Sequence, residues 1–220
     1  MIPPWFAALG RRFAVLWWLK GLGTTAFMWL FFWAYFTILE NPGNPPVEVP
    51  ALAIDHWIPL TPWAFAIYIS LWVYVSLPTA FMLNLRALLH FGLWVSAMCA
   101  LCLFIFWWMP TQTPTFGIDW SQYPGLSLIK GVDAPGNACP SLHVASAVFT
   151  AFWLHRILNI VQAPTWLLWL NPLHCAAIAW STMATLQHVA LDVLAGALVG
   201  AAFAWASLRS ADRQRVPMII

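Results

Sequence analysis

Charged residues are scarce in this sequence, at only 7% of its 220 residues. A soluble domain carries about a quarter of its residues as charged side chains, so the composition excludes an ordinary soluble domain. The sequence also lacks a basic tract, which argues against nucleic acid as a partner. It is instead 62% hydrophobic, with 17 tryptophans and 15 phenylalanines. This composition predicts a protein embedded in a lipid bilayer.

Cysteines are also few, and their placement does not indicate a redox centre. Cys99 and Cys102 form a C-x-x-C pair, but they lie inside an apolar segment, where a reactive thiolate is disfavoured. We expect both to pack as small apolar side chains rather than to serve in redox chemistry or metal binding. Cys139 and Cys175 complete the set, and the sequence predicts no particular pairing.

Long apolar segments, separated by Pro- and Gly-rich breaks, divide the chain into six predicted membrane spans. The spans cover residues 21–39, 62–82, 87–109, 141–160, 165–184 and 188–208. Residues 1–20 indicate an interfacial helix rather than a cleavable signal, because Arg11, Arg12 and Lys20 interrupt the apolar run. We therefore predict an all-α fold, a polytopic six-transmembrane-helix bundle. It forms a single membrane-embedded domain over residues 1–220, with a catalytic core at 58–208.

The charges fall on opposite ends of this predicted bundle. If six spans alternate, one end carries the bases Arg11, Arg12, Lys20, Arg86, Arg156, Arg209, Arg213 and Arg215. The other end carries Glu40, Glu48, Asp55, Asp119 and Asp133, with Lys130 as its one strong base. Basic loops favour the cytoplasmic side. We therefore predict cytoplasmic termini and an active site on the periplasmic or extracellular face of a plasma membrane, with the bacterial inner membrane as the expected location.

A histidine and an aspartate open the sixth predicted span, in the segment HVALDVLAG at 188–196. His188 and Asp192 are four residues apart, which places them on one face of a helix. The carboxylate can accept a hydrogen bond from one imidazole nitrogen and leave the other nitrogen as a more basic lone pair. This pattern is typical of a nucleophile and the group that orients it. An ionisable residue inside a span also indicates function.

A second polar group opens the fourth predicted span, in the segment PSLHVA at 140–145. Pro140 suits a helix start, and Ser141 suits a cap. The unpaired N–H groups of a first helical turn, here near Leu142, attract anions such as phosphate. The Ser141 hydroxyl adds a donor, and His143 could protonate a leaving oxygen. Both motifs fall on the same predicted membrane face.

Two other interpretations of these motifs remain open. Each motif alone could be structural, one as a helix cap and the other as a hydrogen bond inside the bundle. His143, His188 and Asp192 could also ligate zinc, since the residue types allow it. A zinc site, however, would leave the predicted phosphate cradle without a role.

The two histidine motifs resemble those of the type 2 phosphatidic acid phosphatase superfamily. Residues 58–78 and 181–188 are similar to the branch that contains inositol phosphorylceramide synthase and sphingomyelin synthase. The resemblance implies a six-helix bundle and a phosphohistidine intermediate, without metal or cofactor. By match to the motifs, His188 is the nucleophile, Asp192 its orienter and His143 the acid and then the base. Ser141 and the N–H groups near Leu142 would hold phosphoryl oxygens.

The sequence departs from this family in its cations. Phosphatase members usually carry an upstream basic motif, K-x6-R-P, where this chain reads MPTQTPTFGIDW. Ser181 and Thr182 replace a Ser-Arg pair, and Leu186 stands where the related branch often has lysine. Lys130 is the one outward cation that could bind the substrate phosphate, and Gln187 could donate more weakly.

The expected activity is a lipid phosphatase or lipid head-group phosphotransferase. Its partners would be a phospholipid, phosphosphingolipid or polyprenyl (pyro)phosphate substrate and, for transfer, a small alcohol acceptor. The shortage of cations favours a phosphodiester substrate, because a phosphodiester carries less charge than a phosphomonoester. A non-catalytic lipid-binding or lipid-translocating protein of the same fold is the alternative function, and a purely structural membrane subunit is a third.

Overall fold

The computed structural model describes residues 2–123, 125–126 and 136–216, and these are mostly α-helical. The described residues form the helices α1 (Pro4–Ala14), α2 (Trp17–Glu40), α3 (Ala64–Ala80), α4 (Leu85–Trp108), α5 (Leu142–Ile160), α6 (Thr165–Ala184) and α7 (Ala190–Arg213). Two short strands, β1 (Val47–Glu48) and β2 (Thr111–Gln112), pair in parallel. Short 3-10 helices cover Ala53–Trp57 and Trp120–Gln122. The fold is therefore helical apart from this one strand pair in the described chain.

Three helices, α2, α4 and α7, are long and apolar enough to cross a membrane, as judged by length and composition. Helix α3 is apolar but shorter, with 17 residues. Each of the six predicted spans overlaps one helix from α2 to α7, so the sequence locates these helices well. That all six cross the membrane stays a prediction.

Local sequence signals explain several helix starts. The Asn84 side chain accepts a hydrogen bond from the Ala87 N–H at 2.9 Å and caps α4. Ser141 caps α5 in the same way, through the Val144 N–H at 3.3 Å. Such caps satisfy N–H groups that have no partner inside the helix. Proline precedes α6 at position 164, where its missing N–H costs nothing.

The N-terminal segment differs from the single interfacial helix predicted for residues 1–20. Helix α1 ends at Ala14, and Leu16 adopts a left-handed backbone with φ of 54°. Helix α2 begins directly after it, so Lys20 belongs to α2. The break leaves α1 free to take a direction of its own. No glycine, proline or Asn marks the position, which is why the sequence pattern does not predict it.

Helix α5 lies at the centre of the bundle and contacts α3, α6 and α7. Its Phe149 and Trp153 are fully buried. The Trp153 indole N–H donates to the Ser207 hydroxyl of α7 at 2.9 Å, which satisfies the polar edge of a large buried ring. A central, well-packed α5 gives its first residues a fixed position relative to the start of α7.

The two ends of the bundle differ in charge. One end contains the first residues of α3, α5 and α7, the β1–β2 pair and both histidine motifs; we call it the histidine end. The opposite end, the basic end, contains Arg11, Arg12, Lys20, Arg86, Arg156, Arg209, Arg213 and Arg215. The predicted separation of bases from the motif residues is therefore present in the described chain.

Candidate active site

The two histidine motifs meet at the histidine end. Nε2 of His188 lies 3.4 Å from Nδ1 of His143, and the ring centroids are 5.6 Å apart. Asp192 lies behind His188, with Oδ2 3.5 Å from its Nδ1. The structure thus brings together all three residues predicted as catalytic.

Two glycines of α7 allow this close approach. A Cβ atom at Gly196 would lie 2.3 Å from the carbonyl oxygen of Ser141, and one at Gly200 would lie 2.4 Å from that of Ala145. Any larger residue would push α7 away from α5, because both neighbours are backbone atoms. A backbone hydrogen bond from the Ser141 N–H to the Asp192 carbonyl, at 3.0 Å, joins the two motifs directly.

His188 is not helical, in contrast to the predicted span start at residue 188. Helix α7 begins at Ala190, and Val189 is extended. The Asp192 carboxylate folds back over the helix start and accepts the Val189 N–H at 3.0 Å. Because its side chain folds back in this way, Asp192 contacts His188 although the two residues do not share a helical turn.

The histidine–aspartate pair is buried but not fully hydrogen-bonded. Asp192 is completely buried, and His188 is 5% exposed. At 3.5 Å the two side chains are within ion-pair distance but longer than a good hydrogen bond. Within the described chain, His188 Nδ1 and Asp192 Oδ1 have no hydrogen-bond partner. Catalytic hydrogen bonds are often long in an unliganded site and shorten when substrate binds, so the separation of this pair is compatible with a catalytic role.

Tyr68 of α3 is a site residue that the sequence analysis missed. Its hydroxyl lies 2.7 Å from Nε2 of His143, and the two rings pack at a centroid distance of 4.9 Å. Tyr68 is only 4% exposed. The His143 ring therefore has Tyr68 at one nitrogen and His188 at the other.

Asp55 is a second residue that the sequence analysis assigned no role at the site. Its Oδ1 accepts the Ala190 N–H at 2.7 Å, and its Oδ2 accepts the Leu52 N–H at 2.7 Å. Asp55 is 6% exposed, and both hydrogen bonds are partly buried. The carboxylate caps the positive end of α7 and ties the loop at 52–57 to the motif of His188.

The four residues predicted to hold phosphate have different positions. Leu142 borders the same cavity as His143 and His188, and its N–H has no acceptor among residues 2–123, 125–126 and 136–216. Ser141 is fully buried, with its hydroxyl used as the α5 cap. Gln187 is 3% exposed, and its Oε1 is unpaired in the described structure. Lys130 lies outside the described residues.

A cavity of about 920 Å³ extends from the histidine pair between α2, α3 and α4. At the histidine end it is lined by Asn137, Leu142, His143, Ser146 and His188. Its walls are mostly apolar and aromatic, with side chains that include Phe31, Phe36 and Trp72. The polar groups thus stand at the mouth of a space suited to a hydrocarbon chain.

Cys139 lies in the loop before α5, and burial raises the pKa of its thiol. The nearby Asp192 carboxylate acts in the same direction, because a second negative charge next to it is unfavourable. The thiol is therefore neutral at physiological pH and unsuited to act as a nucleophile. Over the described ranges, no group of three or more His, Cys, Asp or Glu side chains is arranged to hold a metal ion.

Comparison with known proteins gives one result. No curated protein and no solved structure matches the chain. A family model described as the PAP2 superfamily matches residues 85–215, which cover α4 to α7 and both histidine motifs. The match extends over more than half of the chain, and the chain belongs to the PAP2 superfamily.

Proposed function

We propose that the protein is an integral membrane lipid phosphatase or lipid head-group phosphotransferase that acts through a phosphohistidine at His188. One observation carries the proposal: His188 and His143 face each other at 3.4 Å, with Asp192 behind, at the polar mouth of an apolar cavity. Superfamily membership supports the class of reaction, because PAP2 members are generally phosphatases or phosphotransferases that act on lipid-like substrates.

The proposed proton positions follow from what each nitrogen must do. A nucleophilic Nε2 on His188 needs a lone pair, so the ring proton sits on Nδ1 and points to Asp192, 3.5 Å away. The His143 nitrogen that faces this lone pair, Nδ1, then carries a proton. As an acid, His143 carries a second proton on Nε2, and this N–H donates to the Tyr68 hydroxyl oxygen. Tyr68 thereby stabilises the doubly protonated ring, which can give up its Nδ1 proton and remain as a neutral imidazole.

The first half-reaction forms the phosphoenzyme. Nε2 of His188 attacks phosphorus, and the N–P bond forms as the bond from phosphorus to the leaving oxygen breaks. The leaving oxygen takes the proton from Nδ1 of the doubly protonated His143, which becomes a neutral imidazole. Asp192 stabilises the positive charge that develops on the His188 ring.

The second half-reaction releases the enzyme. His143 removes a proton from water or from an alcohol, whose oxygen attacks phosphorus. The N–P bond then breaks, and its electron pair returns to His188. Water gives phosphatase activity, whereas an alcohol gives head-group transfer.

The charge of the site favours a phosphodiester substrate. Lys20 is the one Lys or Arg that lines the cavity in the described part of the protein, and it lies at the basic end, away from the histidines. The Leu142 N–H, Ser141, Gln187 and Lys130 would have to hold the phosphoryl oxygens in this proposal. Weak donors suit a diester better than a monoester with its greater charge. We therefore favour head-group transfer to an alcohol over hydrolysis.

The apolar cavity indicates a second feature of the substrate, an apolar tail. A lipid with its phosphate between the histidines would place its chain against the aromatic walls formed by α2 and α3. In this proposal α2 to α7 all cross the bilayer as one membrane-embedded domain. The basic end faces the cytoplasm, and the histidine end faces outward.

A non-catalytic lipid-binding or lipid-translocating protein is the second candidate function. The observation in its favour is the same shortage of cations around the histidines in the described structure. Phosphoryl transfer normally depends strongly on such charges. A protein that only binds or moves lipid would need the cavity but not the ordered histidine pair.

Assay of phosphate and head-group release separates the two functions. Purified protein is given a panel of phospholipids, phosphosphingolipids and polyprenyl phosphates, with and without inositol as acceptor. We expect release or transfer by wild type, inhibition by vanadate and complete loss in His188→Ala. The matched control is His155→Ala, which removes an exposed histidine near the other end of α5. Lipid binding without turnover would favour the second function, and equal activity of His188→Ala and wild type would overturn the role proposed for His188.

A further inference from the structure

The cavity also reaches a buried lysine at the basic end of the bundle. Lys20 lines it together with Phe36, sixteen residues further along α2. At 1.5 Å per residue this separation is about 24 Å, close to the thickness of a bilayer's hydrocarbon core. Lys20 is only 6% exposed. The apolar space therefore has a polar group at each end, the histidine pair at one and an ammonium at the other.

The Lys20 ammonium has neutral protein partners. Its Nζ donates to the carbonyl oxygens of Arg12 at 2.6 Å and of Ala80 at 2.8 Å. An ammonium has three N–H donors, so one remains without an acceptor in the described chain. Arg12, also buried, donates to the Phe81 carbonyl at 3.2 Å and adds a second positive charge close by. A buried charge is costly unless an opposite charge compensates it, and no described carboxylate pairs with Lys20.

Two threonine hydroxyls next to Lys20 are also unused. Thr24 of α2 and Thr79 of α3 both line the cavity, and neither has a hydrogen-bond partner among the described residues. Two hydroxyls on the same helices bond back to the carbonyl four residues earlier, Thr37 at 2.7 Å and Ser76 at 2.9 Å. Helical threonines next to lipid normally use that bond. Both threonines lie near Lys20, because Thr24 is four residues further along α2 and Thr79 precedes Ala80, whose carbonyl accepts from Lys20.

We propose that Lys20, Thr24 and Thr79 form a second lipid site, which binds the phosphate of an anionic phospholipid from the leaflet at the basic end. The ammonium and the two hydroxyls supply hydrogen-bond donors for a phosphate, and the adjoining apolar cavity takes the acyl chains. Zwitterionic lipids bind there less well, because their own cation is repelled by Lys20 and Arg12. The site is separate from the histidine pair and does not depend on turnover there.

Binding of spin-labelled phosphatidylglycerol and phosphatidylcholine to the purified full chain in detergent tests this site. We expect wild type to immobilise phosphatidylglycerol preferentially. Lys20→Met should weaken phosphatidylglycerol binding about tenfold or more, the effect of losing a charged hydrogen bond, and should not weaken phosphatidylcholine binding. Arg11→Met is the matched control, because it removes an equal charge from an exposed residue of α1. It should retain the wild-type preference.

Two further arms keep the test decisive. If Lys20→Met does not fold, Thr79→Val removes one hydroxyl without a change of shape and should weaken phosphatidylglycerol binding several-fold. Inorganic phosphate should compete only poorly with phosphatidylglycerol; competition at equal concentration would show a small-anion site and overturn the lipid assignment. The proposed site would also be overturned if Lys20→Met bound phosphatidylglycerol as well as wild type. If Lys20→Met does not fold, the same result with Thr79→Val would overturn it. The readout is binding, so an inactive histidine site does not affect the result.

Discussion

The hydroxyl of Tyr68 lies 2.7 Å from Nε2 of His143, on the opposite side of that ring from His188. One tyrosine of α3 thus contacts the histidine that opens α5, which in turn faces the histidine that precedes α7. The contact fixes the ring of His143 in place and directs its other nitrogen towards His188. Tyr68 is in this account a positioning residue for the proposed acid.

Tyr68→Phe removes the hydroxyl and keeps the ring. We expect kcat to fall about tenfold to a hundredfold, which matches the loss of a hydrogen bond to a group that becomes charged. KM should change little, because the phenyl ring still lines the cavity. Tyr74→Phe is the control, since the Tyr74 hydroxyl bonds Asn171 inside the bundle at 2.6 Å. Equal losses of kcat in both variants would contradict a specific role for Tyr68.

Asp55→Ala removes the carboxylate that caps α7. Because Asp55 accepts the Ala190 N–H, its loss should lower the free energy of unfolding by about 1–2 kcal/mol and also reduce activity. Thermal unfolding in detergent and head-group release measure the two effects. Asp119→Asn serves as control, since Asp119 bonds Ser121 and Gln122 in an exposed turn. Full activity and stability of Asp55→Ala would show that the cap does not position the site.

Gly196→Ala tests the close approach of α5 and α7. The added Cβ would meet the Ser141 carbonyl at 2.3 Å, so the helices must separate, at a cost of about 1–3 kcal/mol. Since that separation moves His188 from His143, we expect activity to fall more steeply than stability. Gly21→Ala on α2 has no atom within 4 Å of the new Cβ and should behave as wild type. Normal activity of Gly196→Ala would mean that the spacing is not needed.

The Cys139 thiol should react slowly with maleimide at neutral pH. Burial and the Asp192 carboxylate raise the pKa of the Cys139 thiol. At neutral pH a smaller fraction of this thiol is therefore ionised than in an exposed cysteine. In a variant with Cys99, Cys102 and Cys175 replaced by alanine, the labelling rate is that of Cys139 alone. Labelling should accelerate as the pH rises and become faster in Asp192→Asn, which removes the carboxylate charge. Rapid labelling at neutral pH that does not change in Asp192→Asn would contradict this prediction.

The residues predicted from sequence are those whose partners are close in the chain or marked by a helix start. His188 and Asp192 are four residues apart, and Ser141, Leu142 and His143 sit at a recognisable helix start. Alternating spans then place both groups at one end of the bundle, where the structure has them. The predicted first residue of α7 was wrong by two residues, since the helix begins at Ala190. The Asp192 side chain approaches His188 by folding back over the helix start, and not along a helical turn.

Tyr68 and Asp55 could not be predicted, because their partners are distant in sequence. Tyr68 is 75 residues from His143, and Asp55 is 135 residues from Ala190. Tyr68 is one aromatic among many in an apolar helix, and Asp55 stands in a loop with no local motif. Only the packing of α3 on α5, and of the loop at 52–57 on the start of α7, brings them to the site. A buried tyrosine hydroxyl needs a partner, but the sequence does not say which one.

Trapping of the phosphoenzyme shows whether His188 becomes phosphorylated. Wild-type protein is mixed briefly with a lipid substrate labelled at its phosphate, stopped in alkali, where phosphohistidine survives, and digested for peptide mapping. We expect label on the peptide that contains His188, none in His188→Ala, and loss of the label on addition of the acceptor alcohol. Turnover by wild type without any label on His188 would contradict this expectation.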